Sequence, residues 1–197
     1  MGISAPSIRR PLAALGASLL LALSCSAAAS AQTSGTEPPP GSIEGVAPAP
    51  VAAPPTGVAT LLPNGKAVPP AGAPLAVLNA IRAANRIRKK PYIWGGGHRR
   101  WKSKGYDCSG AVSYVLHAAG LLDEPLVSGL LASRWGAPGI GSWITVYANR
   151  SHVYAVIAGL RYDTSAVGEP LKQGSGPRWR MTQRSPGGYT AKYYPGL

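Results

Sequence analysis

The chain predicts an α+β domain, with helices packed on an antiparallel β-sheet. Three observations carry that expectation. Two stretches between residues 75 and 122 place apolar residues at helical spacing. Beyond residue 141 come short runs rich in aromatic and β-branched residues, separated by turn signals. Every tryptophan and tyrosine lies after residue 74, so the core belongs to the last ~120 residues, a common domain size.

The first elements are not part of that core. The opening residues end in Arg9-Arg10, an apolar run follows to Cys25, and the small-residue stretch Ser26-Ala27-Ala28-Ala29-Ser30-Ala31 closes the segment. A basic start, a short apolar centre and an Ala29-Ser30-Ala31 cleavage pattern predict a secretory signal peptide over 1–31. The apolar run is too short for a comfortable membrane span, and no later segment is long and apolar enough to be one. The expected mature chain is therefore secreted or cell-wall associated, with no transmembrane segment. A competing route would lipidate Cys25 after Leu23-Ser24 and anchor the chain to a membrane.

Residues 32–74 are dominated by proline, alanine, glycine and threonine, as in Glu37-Pro38-Pro39-Pro40. Such a composition buries too little apolar surface to offset its ordering entropy, and predicts a flexible linker. The domain proper is then expected over 75–197.

Within it, Pro74 suits a helix start, and Val77, Ile81, Ala84 and Ile87 give a buried stripe, predicting a helix from 75 to about 89 that Pro91 stops. A second helix is expected from Cys108 to about 119, with Asp107 as N-cap, a stripe of Val112, Val115, Ala119 and Leu122, and Gly120 as terminator. Strands are expected over 143–148, 152–158 and 161–164, the first two joined by an Asn149-Arg150-Ser151 turn. The tail after Ser165 shows little periodicity.

The formal charge is +13, which favours anionic partners. For an exported chain these are cell-wall polymers such as peptidoglycan, acidic lipids or acidic peptide stems. No nucleic-acid-binding motif is present. Four cations (Arg99, Arg100, Lys102 and Lys104) lie in the loop 98–104, just before the second helix, where they are expected to border a cleft.

Cysteine usage points to chemistry. Only Cys25 and Cys108 occur, so cleavage of the signal leaves one thiol with no internal partner. Cys108 opens a predicted helix, where unpaired N–H groups and the helix dipole favour an anion. Its polar, turn-like neighbours Tyr106-Asp107 and Ser109-Gly110 do not suit a core position. These features predict a nucleophile. The base comes from His98, His117 or His152. His98 lies in the basic loop, where it is easily solvated. His117 is nine residues along the same helix as Cys108, about two and a half turns away. His152 opens a strand that can hold it firmly, so it is the expected base, with Asp163 on the next strand as the orienting group. No Cys-x-x-Cys or His-Glu-x-x-His spacing supports a metal site, and no cofactor is expected.

These residues resemble a known family. Tyr92-Ile93-Trp94-Gly95-Gly96, Gly105-Tyr106-Asp107-Cys108-Ser109-Gly110, Val112-Ser113-Tyr114-Val115 and Ser151-His152-Val153 look like the NlpC/P60 cell-wall cysteine peptidases, over roughly residues 75–164. The resemblance implies a papain-like fold and cleavage of peptidoglycan stem peptides, often at the γ-D-glutamyl–diamino acid bond. It implies Cys108 as nucleophile, His152 as base and Asp163 in the third place. It also implies that Tyr92, Trp94, Asp107 and Ser109 shape the substrate cleft. The interval between Trp94 and Asp107 is longer than usual, and its extra residues are basic. The Gly-Asp-Leu-Val element common before the histidine is replaced by Gly141-Ser142-Trp143-Ile144, and the third position more often holds histidine, asparagine or glutamine. Other functions open to the same residues are an amidase or acyltransferase, or a wall-binding module that makes no use of the thiol.

Overall fold

The computed structural model describes residues 57–169 and 175–197. The expected signal segment, Cys25 and the expected linker up to residue 56 lie outside them.

The domain is α+β, as expected. Helix α1 (Leu75–Ile87) buries Val77, Ala80, Ile81, Ala83, Ala84 and Ile87, which include the whole predicted stripe. It ends with Arg88 as C-cap, just short of the expected end at 89. Helix α2 (Cys108–Ala118) is buried on every side from Cys108 to Leu116, so it is the central helix of the core rather than one with a single buried stripe. It packs between α1 and the sheet. Its start is fixed by Asp107, whose carboxylate accepts the Gly110 N–H at 2.7 Å. A short helix α3 (Ser128–Ser133) was not anticipated; six residues hold too few turns for a periodic signal.

Among the described residues there are eight strands, in chain order: β1 (Thr60–Leu61), β2 (Ala67–Val68), β3 (Ala137–Pro138), β4 (Ile144–Ala148), β5 (Val153–Ile157), β6 (Leu160–Asp163), β7 (Arg178–Arg180) and β8 (Thr190–Tyr193). The last six form one antiparallel sheet in the order β3-β8-β4-β5-β6-β7. The β4–β5 turn matches expectation, with one adjustment. His152 lies in the turn, one residue before β5, and the Asn149 carboxamide oxygen accepts the Ser151 and His152 N–H groups at 2.9 Å each. The β5–β6 turn is Ala158-Gly159, both at positive φ (45° and 79°), the geometry of a tight hairpin. This hairpin sets Ala155 opposite Tyr162. Extending that register by one places Asp163 opposite Tyr154, and hence close to His152 two residues earlier on the same face.

One expectation is corrected. Residues 57–74 are not linker. β1 and β2 form a hairpin that bonds to the domain at both ends: Ala59 N–H reaches Ala158 O (2.8 Å), and the Asn85 side chain of α1 pairs with both backbone groups of Ala67 (2.9 and 2.8 Å). Composition misled here because specific hydrogen bonds and two buried alanines, Ala59 and Ala67, hold the segment. The tail is also structured, with β7 and β8 on opposite sides of the sheet. Trp179 of β7 is buried and donates its indole N–H to Asn85 at 2.9 Å. Strands of three and four residues are too short to show a period.

No helix among the described residues is long and apolar enough to cross a membrane.

Candidate active site

The site lies where the start of α2 meets the β4–β5 turn. Its glycines explain the tight approach. The loop 91–97 runs beside 105–107, with Tyr106 N–H bonded to Pro91 O (3.1 Å), Ile93 N–H to Tyr106 O (3.3 Å) and Asp107 N–H to Gly96 O (3.2 Å). A Cβ on Gly110 would collide with the Gly96 carbonyl oxygen, and one on Gly96 with that of Gly105. Both positions therefore need glycine, and the loop is held against the first turn of α2.

Cys108 is a free thiol in that first turn, buried but for 8% of its surface. Its backbone N–H has no partner among the described residues. The imidazole of His152 interacts with the thiol, which helps to raise the imidazole's pKa. His152 Nε2 stands 2.9 Å from Asp163 Oδ1, which leaves Nδ1 as the nitrogen for the thiol. The three residues singled out as nucleophile, base and orienting group thus form one chain of contacts.

The electrostatics follow from burial and partners. Burial pushes the His152 pKa down, but hydrogen bonds to Asp163 and Cys108, with the charges of both, outweigh it and lift the imidazole to about 9. Burial alone would push Asp163 up. The His152 bond and charge, the Ser165 N–H at 2.8 Å and the nearby Arg161 overcome this and hold its carboxyl below the ordinary value. The Asp163 side chain is wholly buried. Its Oδ2 faces Arg161 Nε at 3.6 Å and Arg184 Nη1 at 3.3 Å. Arg161 is two residues away on the same face of β6, so strand alternation brings the pair together. Arg184 arrives from the tail, lies over the rings of Tyr154 and Tyr189 (5.7 and 5.4 Å), and completes a cage behind the histidine. Tyr189 also meets His152 edge-on.

On the other side of Cys108, His98 departs from expectation. It is not loosely solvated. Its Nε2 lies 3.1 Å from both Asp107 Oδ1 and Ser109 Oγ. Asp107 is fully engaged, since Oδ1 also accepts from Gly110 N–H and Ser109 O–H, and Oδ2 accepts from Gly95 N–H at 3.0 Å. Asp107 and Ser109 are buried, and these contacts give them the task of fixing the loop and the helix start. Tyr92 is partly exposed near Cys108: burial raises its hydroxyl pKa, and the charges of Cys108 and Asp107 raise it further. Trp94 is 86% exposed. His117 is engaged elsewhere, stacked on Trp101 at 3.9 Å and bonded to Leu122 O.

Sequence reasoning set His98 aside and missed Arg161, Arg184 and Tyr189. Only the alternation linking Arg161 to Asp163 was visible in the chain; the other contacts depend on how the loop and tail close. Among the described residues no group of three His, Cys, Asp or Glu side chains is arranged to hold a metal ion.

No protein-family model and no curated sequence matches the chain. Solved structures similar to it include Rv1477, a hypothetical invasion protein of Mycobacterium tuberculosis, at 22% identity over 64% of this chain and 70% of that one, with a TM-score of 0.41. Two mutated forms of the resuscitation promoting factor interacting protein RipA are similar at 22% and 24% identity. They match 64% of this chain and 69% and 68% of their own, with TM-scores of 0.42 and 0.41.

Proposed function

We propose that the protein is an exported cysteine peptidase of the NlpC/P60 type that hydrolyses peptidoglycan stem peptides at the γ-D-glutamyl–diamino acid bond. The observation that carries this reading is one imidazole, His152, held at 2.9 Å by the buried carboxylate of Asp163 and raised in pKa by that carboxylate and by the free thiol of Cys108.

The arrangement supports acyl transfer. An imidazole lifted to about 9 is an imidazolium at neutral pH, the counter-ion that a thiolate nucleophile needs. Cys108 Sγ attacks the substrate carbonyl. The unpartnered Cys108 N–H, at a helix start, is available to the negative charge that develops on the carbonyl oxygen. His152 then passes its proton to the leaving amine, and the C–N bond breaks to leave a thioester. With its proton spent, the imidazole takes one from water, whose oxygen attacks the thioester and frees the acid and the thiol. Asp163 keeps the ring oriented throughout.

The test is digestion of purified muropeptides by residues 57–197, with products identified by mass. The expected products are stems cut after the γ-linked glutamate, and Cys108→Ala should reduce the rate by several orders of magnitude while leaving the thermal unfolding transition in place. Products cut instead at the sugar–peptide amide would make the protein an amidase. An active Cys108→Ala variant would remove the thiol from the chemistry.

A further inference from the structure

A concavity of about 590 Å³ lies along the loop that precedes α2, and none of Cys108, His152 and Asp163 lines it. Trp94 and Ser103 line it, together with Arg99, Arg100, Lys102 and Lys104. No acidic residue lines it, and none of the four cations has an ion-pair partner among the described residues.

The loop that presents these cations is anchored from inside at three places. His98 reaches Asp107 and Ser109 at 3.1 Å. The Trp101 ring stacks on His117 at 3.9 Å with an interplanar angle of 5°. The buried Tyr106 hydroxyl donates to Trp101 O at 2.7 Å and accepts the Ser103 N–H at 3.2 Å. Three inward anchors with the cations left outside make a preorganised array, so a ligand meets positive charge without first ordering the loop. Its volume falls in the range of ligand pockets. Its floor, Gly95 to Gly97, is the strand of chain that abuts the first turn of α2.

We propose that this pocket is a carboxylate-binding subsite of the substrate cleft, which selects stem peptides whose carboxylates are free over those whose carboxylates are amidated. The proposal rests on the peptidase reading for the identity of the ligand. Charge sets the chemistry: four cations and no acid call for a ligand with more than one negative group. Continuity sets the source. The floor of the pocket is packed on the turn that carries Cys108, so an extended ligand bound at the thiol needs to pass only one stretch of chain to reach the cations. Trp94, exposed at the rim, supplies an apolar face for the aliphatic part of such a residue.

Two stem tetrapeptides containing the γ-D-glutamyl–diamino acid bond, one with free and one with amidated α-carboxylates, test the proposal against the wild type and the variant Arg99→Gln/Arg100→Gln/Lys102→Gln/Lys104→Gln. Exposed charge pairs are individually weak, so the wild type should favour the free peptide by about tenfold in kcat/KM, mostly through KM, at low salt. That preference should shrink as salt shortens the Debye length to about 8 Å and below. The variant should lose it, with turnover of the amidated peptide unchanged. Equal cleavage of both peptides by the wild type, or a preference that survives in the variant, overturns the subsite and leaves the peptidase reading intact. Binding is read separately from the fluorescence change of Trp94 in Cys108→Ala, with Trp94→Phe as control. Binding of the free peptide that the four substitutions abolish, without cleavage by the wild type, would keep the subsite and remove the peptidase reading. No binding of either peptide overturns the subsite.

Discussion

Two histidine–aspartate pairs flank one thiol, and they differ in nearly everything but distance. His152 and Asp163 are 2.9 Å apart, and His98 and Asp107 are 3.1 Å apart. Asp163 is wholly buried, flanked by Arg161 and Arg184, and its partner imidazole keeps a nitrogen for Cys108. Asp107 also caps a helix and ties down a loop, and His98 shares its one engaged nitrogen between Asp107 and Ser109. A histidine beside an aspartate is therefore not enough to mark a base. What distinguishes the two is whether the imidazole also interacts with Cys108, and what else the carboxylate holds: Asp163 takes one backbone N–H and two guanidinium groups, and Asp107 two backbone N–H groups and a hydroxyl.

The comparison breaks most directly on the histidines. His152→Ala should lower kcat/KM on muropeptides by about a thousandfold, and His98→Ala by less than about tenfold, since only the former removes the acid–base group. Similar losses for both would erase the distinction. The carboxylates come next. Asp163→Asn removes the charge that lifts His152, so the alkaline limb of the kcat/KM profile should move down from about 9 towards neutral pH. It also leaves buried Arg161 without its counter-charge, at a cost of about 3 kcal/mol in unfolding free energy. Asp107→Ala should cost about 1 kcal/mol as a lost cap and leave the alkaline limb where it was.

Stability against pH gives a further contrast. The folded state raises His152 from its ordinary 6.5 to about 9, so its contribution is complete below 6.5 and is lost as pH rises through about 9. Denaturant midpoints should fall across that window in the wild type, and His152→Ala should flatten the decline. Asp163 works in the other direction: its pKa is depressed, so its contribution holds above the ordinary carboxylate range and is lost in acid. The smallest effect is expected from Arg184→Ala. Removing a cation 3.3 Å from Asp163 lets the carboxylate favour the imidazolium more strongly, so the alkaline limb should move slightly up, opposite to Asp163→Asn.

What could be read from the chain follows the same division. Helices α1 and α2 run 13 and 11 residues, enough turns for an apolar period to show, and the capping Asp107 marks where α2 begins. The β4–β5 turn carried an asparagine whose side chain closes it. Cys108, His152 and Asp163 were legible because each stands at the edge of an element whose type was clear. His98 was set aside because a loop rich in charge reads as solvated, and nothing local reveals that Trp101 will stack on His117 and fold the loop inward. Arg184 and Tyr189 lie in a tail whose strands of three and four residues have no measurable period, although their neighbours place them against His152. Residues 57–74 misread for a related reason: composition reports average tendency and is blind to single hydrogen bonds.

One of those bonds bears on where the domain can be cut. Asn85 sits on α1 amid alanines and isoleucine, and its one carboxamide serves the Ala67 N–H, the Ala67 carbonyl and the Trp179 indole. It rivets the first hairpin and the next-to-last strand to the same helix turn. A fragment trimmed to begin at residue 75, as composition alone would recommend, would leave that carboxamide with two vacant bonds and uncover apolar surface beside it. Limited proteolysis should therefore spare the stretch from 58 to 74, and expression of the shorter fragment should give a protein that aggregates where the one starting at 57 stays in solution.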